Sequence, residues 1–206
     1  MAGAVTLPEL HWRESPNQSG RLEPVRFVTV HRPVGSYASA IETLCDPQPA
    51  HPERRVSAHV AVREDGLEAT QLVAWNRKAW HCAGFNSASE GVETPDWIWT
   101  GPLTADALRV MAVCARIVAF RLHRRGWPAR WLQGGALLSG RGFTRHFDLG
   151  AAGGGHTDPT TDPHRWGIFA AMVRHELARG HFRPAWGRYP PAATLGPGPP
   201  VWGFHG

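Results

Sequence analysis

The 206-residue sequence lacks several features that would assign a protein to a class at once. It has only three cysteines, at positions 45, 82 and 114, which are too few for a disulfide framework, although a single Cys45–Cys82 bridge stays open as an alternative. No run of about 18 apolar residues is present, so we expect no membrane span. The N-terminus has no basic start followed by an apolar stretch, and we expect no secretory signal.

Blocks of like charge are missing as well. The net charge is +5 and the pI is about 9.8, which favours anionic partners such as nucleic acid or an acidic cell-wall polymer. The positive charge is almost all arginine and is scattered along the chain. No helix-turn-helix, zinc-finger or RNP signature accompanies it. We therefore expect no nucleic-acid partner, and a basic nucleic-acid-binding protein is a remote alternative.

The pattern of apolar residues predicts one α/β domain over residues 1–180, with a mixed central sheet flanked by helices. The predicted order is a strand ending at His31, a short helix capped by Ser36, a hairpin around Asp65-Gly66, a strand ending at Glu93, a long helix over residues 104–125 and a last helix capped by Asp162. Residues 1–25 are predicted to be irregular. Residues 181–206 are dense in proline and glycine and are predicted to be a tail or linker.

Burial can be predicted for several polar residues. Arg109, Arg116 and His123 recur at a spacing of seven on the long helix, which predicts a solvent-exposed stripe. Glu90 is expected to be exposed. His59 lies on an alternating strand, and we interpret it as a buried, hydrogen-bonded histidine. The third cysteine, at position 114, falls on the apolar face of the long helix and is expected in the core.

The segment "FTRHFDLGAAGGGHTDPTTDP", residues 143–163, brings polar groups together around a glycine turn. His146, His156 and Asp158 lie there, and His31 ends a buried strand, where a side chain is held firmly. Two imidazoles and one carboxylate are typical of catalytic zinc, with the fourth position open for water. A polar surface loop is the alternative, and Asp162 is a rival ligand that an N-cap role explains better.

A set of short motifs resembles the zinc-dependent N-acetylmuramoyl-L-alanine amidases. The motifs "FVTVH", "VSAHVAVREDG", "AWH", "SEGVE", "RHFD" and "HTDP" follow the order of that family from about residue 12 to residue 177. The family includes phage endolysins and bacterial peptidoglycan amidases, and it shares its fold with the peptidoglycan recognition proteins. The start of the chain and of its long helix are similar to phage-type members.

The resemblance implies a Zn²⁺ site and a catalytic base. The metal ligands of the family fall on His31, His146 and Asp158. Its general base is either a tyrosine before the hairpin histidine or a glutamate closing a strand. The tyrosine position is Ala58 in this chain, so the base falls on Glu93.

Two positions depart from the family pattern. The lysine that usually lies two residues before the third ligand is His156, which the resemblance places as an oxyanion stabiliser and which stays a rival ligand. The glycine that usually follows the proline after that ligand is Thr160.

The resemblance also implies a substrate and a place of action. Trp80, His81 and Asn86, between the hairpin and the base, would line a groove for peptidoglycan, in which the bond between N-acetylmuramic acid and L-alanine is cut. Arg32 is either a partner for a substrate carboxylate or an exposed side chain. We expect a monomer that waits in the host cytoplasm until its release as a phage endolysin. A cytoplasmic recycling amidase and a non-catalytic peptidoglycan-binding module of the same fold are the alternatives.

Overall fold

A computed structural model describes residues 5–33, 35–182 and 186. Within this part of the chain there are eight strands, five α-helices and three short 3-10 segments. The strands are β1 (Glu9–Trp12), β2 (Gln18–Ser19), β3 (Phe27–His31), β4 (Val60–Val62), β5 (Glu68–Gln71), β6 (Lys78–Ala79), β7 (Ser89–Glu93) and β8 (Gly142–Arg145). The helices are α1 (Tyr37–Cys45), α2 (Trp97–Thr100), α3 (Ala105–Arg125), α4 (Ala136–Ser139) and α5 (Pro163–Arg179). Apart from residues 181, 182 and 186, the predicted tail lies outside the described residues.

The central sheet has six strands in the order β1-β5-β4-β7-β3-β8. Strands β4, β7, β3 and β8 are parallel to one another, whereas β5 runs antiparallel to β4 and pairs in parallel with β1. The predicted mixed sheet and the hairpin between β4 and β5 are therefore confirmed. Because four neighbouring strands are parallel, their carboxyl ends meet at one edge of the sheet, which is where ligands usually bind.

Helices cover both faces of this sheet. The long helix α3 and the last helix α5 pack against each other on one face, where their apolar residues join those of β3, β7 and β8 in the largest cluster of buried side chains. On the other face, Ile41 and Leu44 of α1 pack against Ala61 of β4. Thr104 caps α3 by accepting a hydrogen bond from the backbone of Ala107, and Gly126, with φ +66°, ends it.

The predicted solvent stripe on α3 is wrong at one position. Arg109 and His123 are exposed, but Arg116 is buried and donates to the carboxylate of Glu176 at 2.6 Å. The pair lies where α5 crosses α3, and the periodicity of a single helix does not tell which partner will cover it. Arg116 also donates to the carbonyl of His181 at 3.0 Å, so it ties the end of α5 to the long helix.

Four of the eight strands, β1, β2, β6 and β8, were missing from the sequence-based prediction, and two of them, β1 and β8, belong to the central sheet. Strand β1 falls in the stretch predicted to be irregular; it lies at the sheet edge, and none of its four residues is fully buried, so its apolar pattern is weak. Strand β8 lies between the two long helices, where no strand was predicted, and begins at Gly142, whose φ is +156°. Both strands are defined by their pairing with a neighbour, β5 and β3 respectively.

The cysteines are free thiols. Cys82 is buried with its Sγ 3.1 Å from Ser89 Oγ, so the alternative of a bridge with Cys45 is not realised. The cysteine at position 114 is buried in the core, as predicted. Among the helices of the described residues, none has both the length and the apolarity that crossing a bilayer requires.

Candidate active site

The candidate site is built on the carboxyl ends of β3 and β7. His31 is the last residue of β3, and the register of the two parallel strands places it beside Glu93, the last residue of β7. The strand end is fixed from behind, because the hydroxyl of Thr94 donates to the carbonyl of His31 at 2.6 Å and the indole of Trp99 donates to that hydroxyl at 2.7 Å. Both side chains therefore leave the sheet edge in defined directions.

A second segment brings its groups to the same edge. His146 directly follows β8, the neighbour of β3, and the backbone N–H of Phe147 donates to the carbonyl of Asp158 at 2.8 Å. The guanidinium of Arg145 donates to the carbonyl of Thr160 at 3.1 Å. These two bonds fold the glycine-rich turn back on itself, so that Asp158 lies next to His146.

Three ligand atoms converge there. The Nδ1 atoms of His31 and His146 are 3.0 Å apart, and the carboxylate of Asp158 lies 3.3 Å from the first and 3.0 Å from the second. Both histidines are 3% exposed. Within the described part of the chain, these three residues form a group of side chains that could hold a metal ion. The sequence-based prediction named the same three.

The second nitrogen of each histidine is also engaged. The Nε2 atom of His146 donates to the carbonyl of Gly153 at 2.8 Å, which leaves its Nδ1 free to act as a ligand. The Nε2 atom of His31 lies 2.8 Å from Nδ1 of His81. Burial lowers the pKa of His31, which favours the neutral imidazole that a metal requires. Burial alone would raise the pKa of Asp158, but hydrogen bonds with His146 and His31 outweigh it and keep the carboxyl ionised.

Glu93 is a buried carboxyl group, and no residue in the described part of the chain forms an ion pair with it. It is 8% exposed, and among the described residues its Oε2 atom has no hydrogen-bond partner. Burial, together with the negative charge of Asp158, raises the pKa of Glu93 to about 8. A carboxyl with a strongly perturbed pKa in a cleft, next to a possible metal site, is typical of a group that moves protons.

The prediction that Glu90 is exposed is wrong. Its side chain is fully buried and accepts hydrogen bonds from Arg121 at 2.8 and 2.9 Å and from Arg125 at 2.5 Å. Alternation along β7 explains the difference, because Glu90 points to the sheet face that α3 covers, opposite to Glu93. Burial alone would raise the pKa of Glu90, but the charges of the two arginines lower it to about 2.

A groove of about 360 Å³ opens onto the three ligand atoms and Glu93. His156 lines it; its exposed ring stacks on that of His146 with the centroids 4.4 Å apart, and its Nδ1 lies 3.9 Å from Asp158. Trp80 and His81 also line the groove, whereas Asn86 is not among the lining residues. The side-chain oxygen of Asn86 instead accepts hydrogen bonds from the backbone N–H groups of His81 and Cys82, at 2.8 and 2.7 Å.

Three other polar residues have local roles. His59 is fully buried and its Nδ1 accepts a hydrogen bond from the backbone of Gly91 at 3.0 Å, so the predicted buried histidine is confirmed. Asp162 caps α5 by accepting from the backbone of His164 at 2.8 Å, as predicted. Arg32 lines the groove and pairs with Asp96, a partner that no motif indicated.

A family model described as N-acetylmuramoyl-L-alanine amidase matches residues 21–165 of the chain. A curated relative, N-acetylmuramoyl-L-alanine amidase A of Achromobacter lyticus, is 29% identical over 121 residues. This alignment covers 55% of the chain and 66% of the relative, so the chain spans just under two thirds of that protein's length.

Solved structures show the same fold at low identity. The hydrolase AmiA of Staphylococcus aureus superimposes with a TM-score of 0.62 at 14% identity, over 84% of this chain and 85% of that one. A mutant endolysin from Bacillus subtilis superimposes with a TM-score of 0.57 at 18% identity, over 81% of this chain and 99% of that one. The match of the family model covers more than half of the chain and contains all three candidate ligands and Glu93.

Proposed function

The chain belongs to the N-acetylmuramoyl-L-alanine amidase family, and we propose that it uses zinc, held by His31, His146 and Asp158, to hydrolyse the amide bond between N-acetylmuramic acid and L-alanine of peptidoglycan. The observation that carries this proposal is the meeting, in one groove, of three ligand atoms and a buried carboxyl group whose Oε2 atom has no hydrogen-bond partner among the described residues. The order of the family motifs in the sequence supports the same bond.

The donor set fits zinc. Tetrahedral zinc with ligand bonds of about 2.0–2.1 Å requires ligand atoms about 3.3 Å from one another. The two Nδ1 atoms are 3.0 Å apart, and each lies close to one oxygen of Asp158, His31 at 3.3 Å from Oδ2 and His146 at 3.0 Å from Oδ1. Two histidines and one carboxylate leave the fourth position to the reaction, which is typical of catalytic zinc and not of structural zinc.

The chemistry divides between the metal and the carboxyl group. When bound, zinc supplies Lewis-acid chemistry, polarising a carbonyl oxygen and lowering the pKa of water to about 7. Glu93 accepts the proton of the attacking water and delivers it to the nitrogen of the leaving amine, a role worth about 10²–10⁴-fold in rate. Within the described part of the chain its Oε2 atom has no hydrogen-bond partner, which leaves that oxygen available for the proton.

His156 and Trp80 complete the site from the rim of the groove. The imidazole of His156 is exposed and held by stacking on His146, where it can donate a hydrogen bond to the oxyanion that forms at the scissile carbonyl. Trp80 is half-buried and its indole N–H donates to Ser19 at 3.3 Å, which fixes the plane of the ring. The exposed part of that ring offers a flat apolar surface to a sugar or a peptide.

One experiment separates the roles of the ligands from that of the base. Purified wild-type protein should contain one zinc per chain and lyse cell walls, and both properties should disappear with a chelator. Asp158→Asn should lose metal and activity together, whereas Glu93→Gln should keep the metal and lose activity. A wild-type protein that lyses walls at full rate in EDTA would refute the proposal. Metal-loaded protein without any lysis would favour a binding module.

The two candidate roles of His156 are separated by a pair of variants. As an oxyanion donor, His156→Ala should lose about 2.7–4 kcal/mol of transition-state stabilisation with an unchanged zinc content. His156→Lys, which introduces the residue usual in the family, should recover most of the rate. A loss of zinc in His156→Ala would instead make His156 a ligand.

We further propose that the chain acts as a phage endolysin. The fold shared with an endolysin of Bacillus subtilis supports this proposal. An endolysin cleaves intact wall sacculi, whereas a recycling amidase prefers soluble anhydro-muropeptides. Comparing kcat/KM on the two substrates tests the proposal, and a strong preference for the soluble fragments would overturn it.

A further inference from the structure

The two histidine ligands are held by very different groups at their second nitrogens. For His146 the partner is a backbone carbonyl, that of Gly153, which can only accept a hydrogen bond. For His31 the partner is the ring of His81, with 2.8 Å between Nε2 of His31 and Nδ1 of His81. A neutral imidazole nitrogen can donate or accept, so the role of His81 depends on what its own second nitrogen contacts.

The role of His81 follows from a chain of hydrogen bonds that ends at the carbonyl of Phe85. The hydroxyl of Ser89 lies 2.9 Å from the carbonyl of Phe85 and must donate to it. The same oxygen lies 3.3 Å from Nε2 of His81, so it accepts from that nitrogen, and the proton of His81 is on Nε2. Nδ1 of His81 then carries a lone pair and accepts from Nε2–H of His31. The remaining nitrogen of His31, Nδ1, keeps its lone pair and faces the other two ligands.

The surroundings of His81 hold its ring in the orientation that this chain of bonds requires. The side-chain oxygen of Asn86 accepts both backbone N–H groups at the turn, those of His81 and Cys82. The ring packs against Gly91 of β7, where a Cβ atom would lie 2.8 Å from Cγ and Nδ1 of the imidazole. Any larger residue at position 91 would push the ring off its place, so the glycine is required by close approach.

We propose that His81 is a positioning residue for the metal centre, which fixes His31 in the tautomer and orientation that present Nδ1, and that Ser89, Asn86 and Gly91 serve to hold His81. The proposal rests on the proposed zinc site. In this proposal His81 supports the ligand His31, and Asn86 supports His81. The sequence-based prediction had instead placed His81 and Asn86 in contact with substrate.

Zinc affinity measured by chelator competition tests this role without relying on turnover. His81→Leu keeps the bulk of the ring and removes the acceptor, and we expect zinc to bind about 10–100-fold more weakly. His81→Asn carries its amide oxygen at the place of Nδ1, so it should stay close to wild type. His81→Gln carries its amide at the place of Nε2 and should resemble the leucine variant. Cys114→Ala, on the buried face of α3 and so on the opposite face of the sheet, is the control and should bind zinc as wild type does.

The outcomes separate the inference from the proposed function. If the wild type binds no zinc, the zinc site itself is wrong. If the wild type binds zinc and His81→Leu binds it equally well, the positioning role is wrong. Should His81→Leu fail to fold, as judged by thermal unfolding of the metal-free protein, Ser89→Ala replaces it. That variant frees the tautomer of His81 and should weaken zinc binding by a few-fold; an unchanged affinity would overturn the inference.

Discussion

Two glutamates on strand β7, three residues apart, have opposite environments. Glu90 faces α3 and accepts hydrogen bonds from Arg121 and Arg125, which lower its pKa to about 2. Glu93 faces the groove without a cation, and burial raises its pKa to about 8. Both are buried, so burial alone does not decide the charge of a carboxyl group. The arginines make Glu90 a structural ion, and their absence leaves Glu93 able to exchange a proton at neutral pH.

The largest expected effect is on catalysis through Glu93. Glu93→Gln should reduce kcat on cell-wall substrate by about 10²–10⁴-fold, because the amide cannot accept the proton of water. Glu90→Gln, assayed at a temperature at which it stays folded, should keep most of the activity. Wall-turbidity assays on the two variants measure both results. Similar losses of activity in the two variants would mean that the different environments of the two glutamates do not give them different roles in catalysis.

The next effect is on stability through Glu90. Glu90→Gln should lower the free energy of unfolding by about 3–5 kcal/mol, because it leaves the buried guanidinium of Arg121 without its counter-charge. Urea unfolding followed by circular dichroism measures the change. The matched variant Glu93→Gln should not destabilise the metal-free protein. A neutral result for Glu90→Gln would show that water replaces the carboxylate there.

The pH dependence of these stability differences should have opposite signs. Glu90 has a folded pKa of about 2, below its unfolded value of about 4.3, so its contribution is present above pH ~4.3 and is lost as the pH falls through ~2. Glu93 has a folded pKa of about 8, so its contribution is present below pH ~4.3 and is lost as the pH rises through ~8.

Unfolding of metal-free protein in EDTA at several pH values measures both curves. Relative to wild type, Glu93→Gln should gain about 1–3 kcal/mol between acid and alkaline pH, since the amide avoids a buried unpaired charge. Glu90→Gln should approach wild type only in acid. Curves with the same slope for the two variants would contradict the assigned pKa directions.

The smallest effect is expected at Arg125, the more exposed of the two partners of Glu90. Its side chain is 31% exposed, compared with 7% for Arg121. Arg125→Met should cost about 1 kcal/mol or less, because Arg121 still neutralises the carboxylate and exposed ion pairs contribute little. Arg121→Met is the comparison and should cost more. Equal losses measured by urea unfolding would mean that the two arginines act as one unit.

Local patterns in the sequence predicted the helices and strands that have a clear periodicity, cap or turn. The strand ending at His31, the hairpin, the capped long helix and the mixed sheet follow from periodicity and turn residues. What failed depends on packing between distant segments. Arg116 is buried because α5 crosses α3, and Glu90 because α3 covers one face of β7. The candidate ligands were found through the order of the motifs. The hydrogen bond from Thr94 to the carbonyl of His31 and the bond that Asn86 accepts from the backbone of His81 join different segments, and no pattern in the sequence predicted them.

The two candidate histidine ligands are separated by 115 positions along the chain, and the candidate carboxylate ligand follows the second. A proteolytic cut between them leaves no fragment with the complete centre, because each piece holds at most two of the three donors. Loss of the proposed activity after limited digestion should therefore report a cut between residues 31 and 158. For the same reason, a fusion protein that is meant to carry this centre must contain residues 31–158 as one continuous segment.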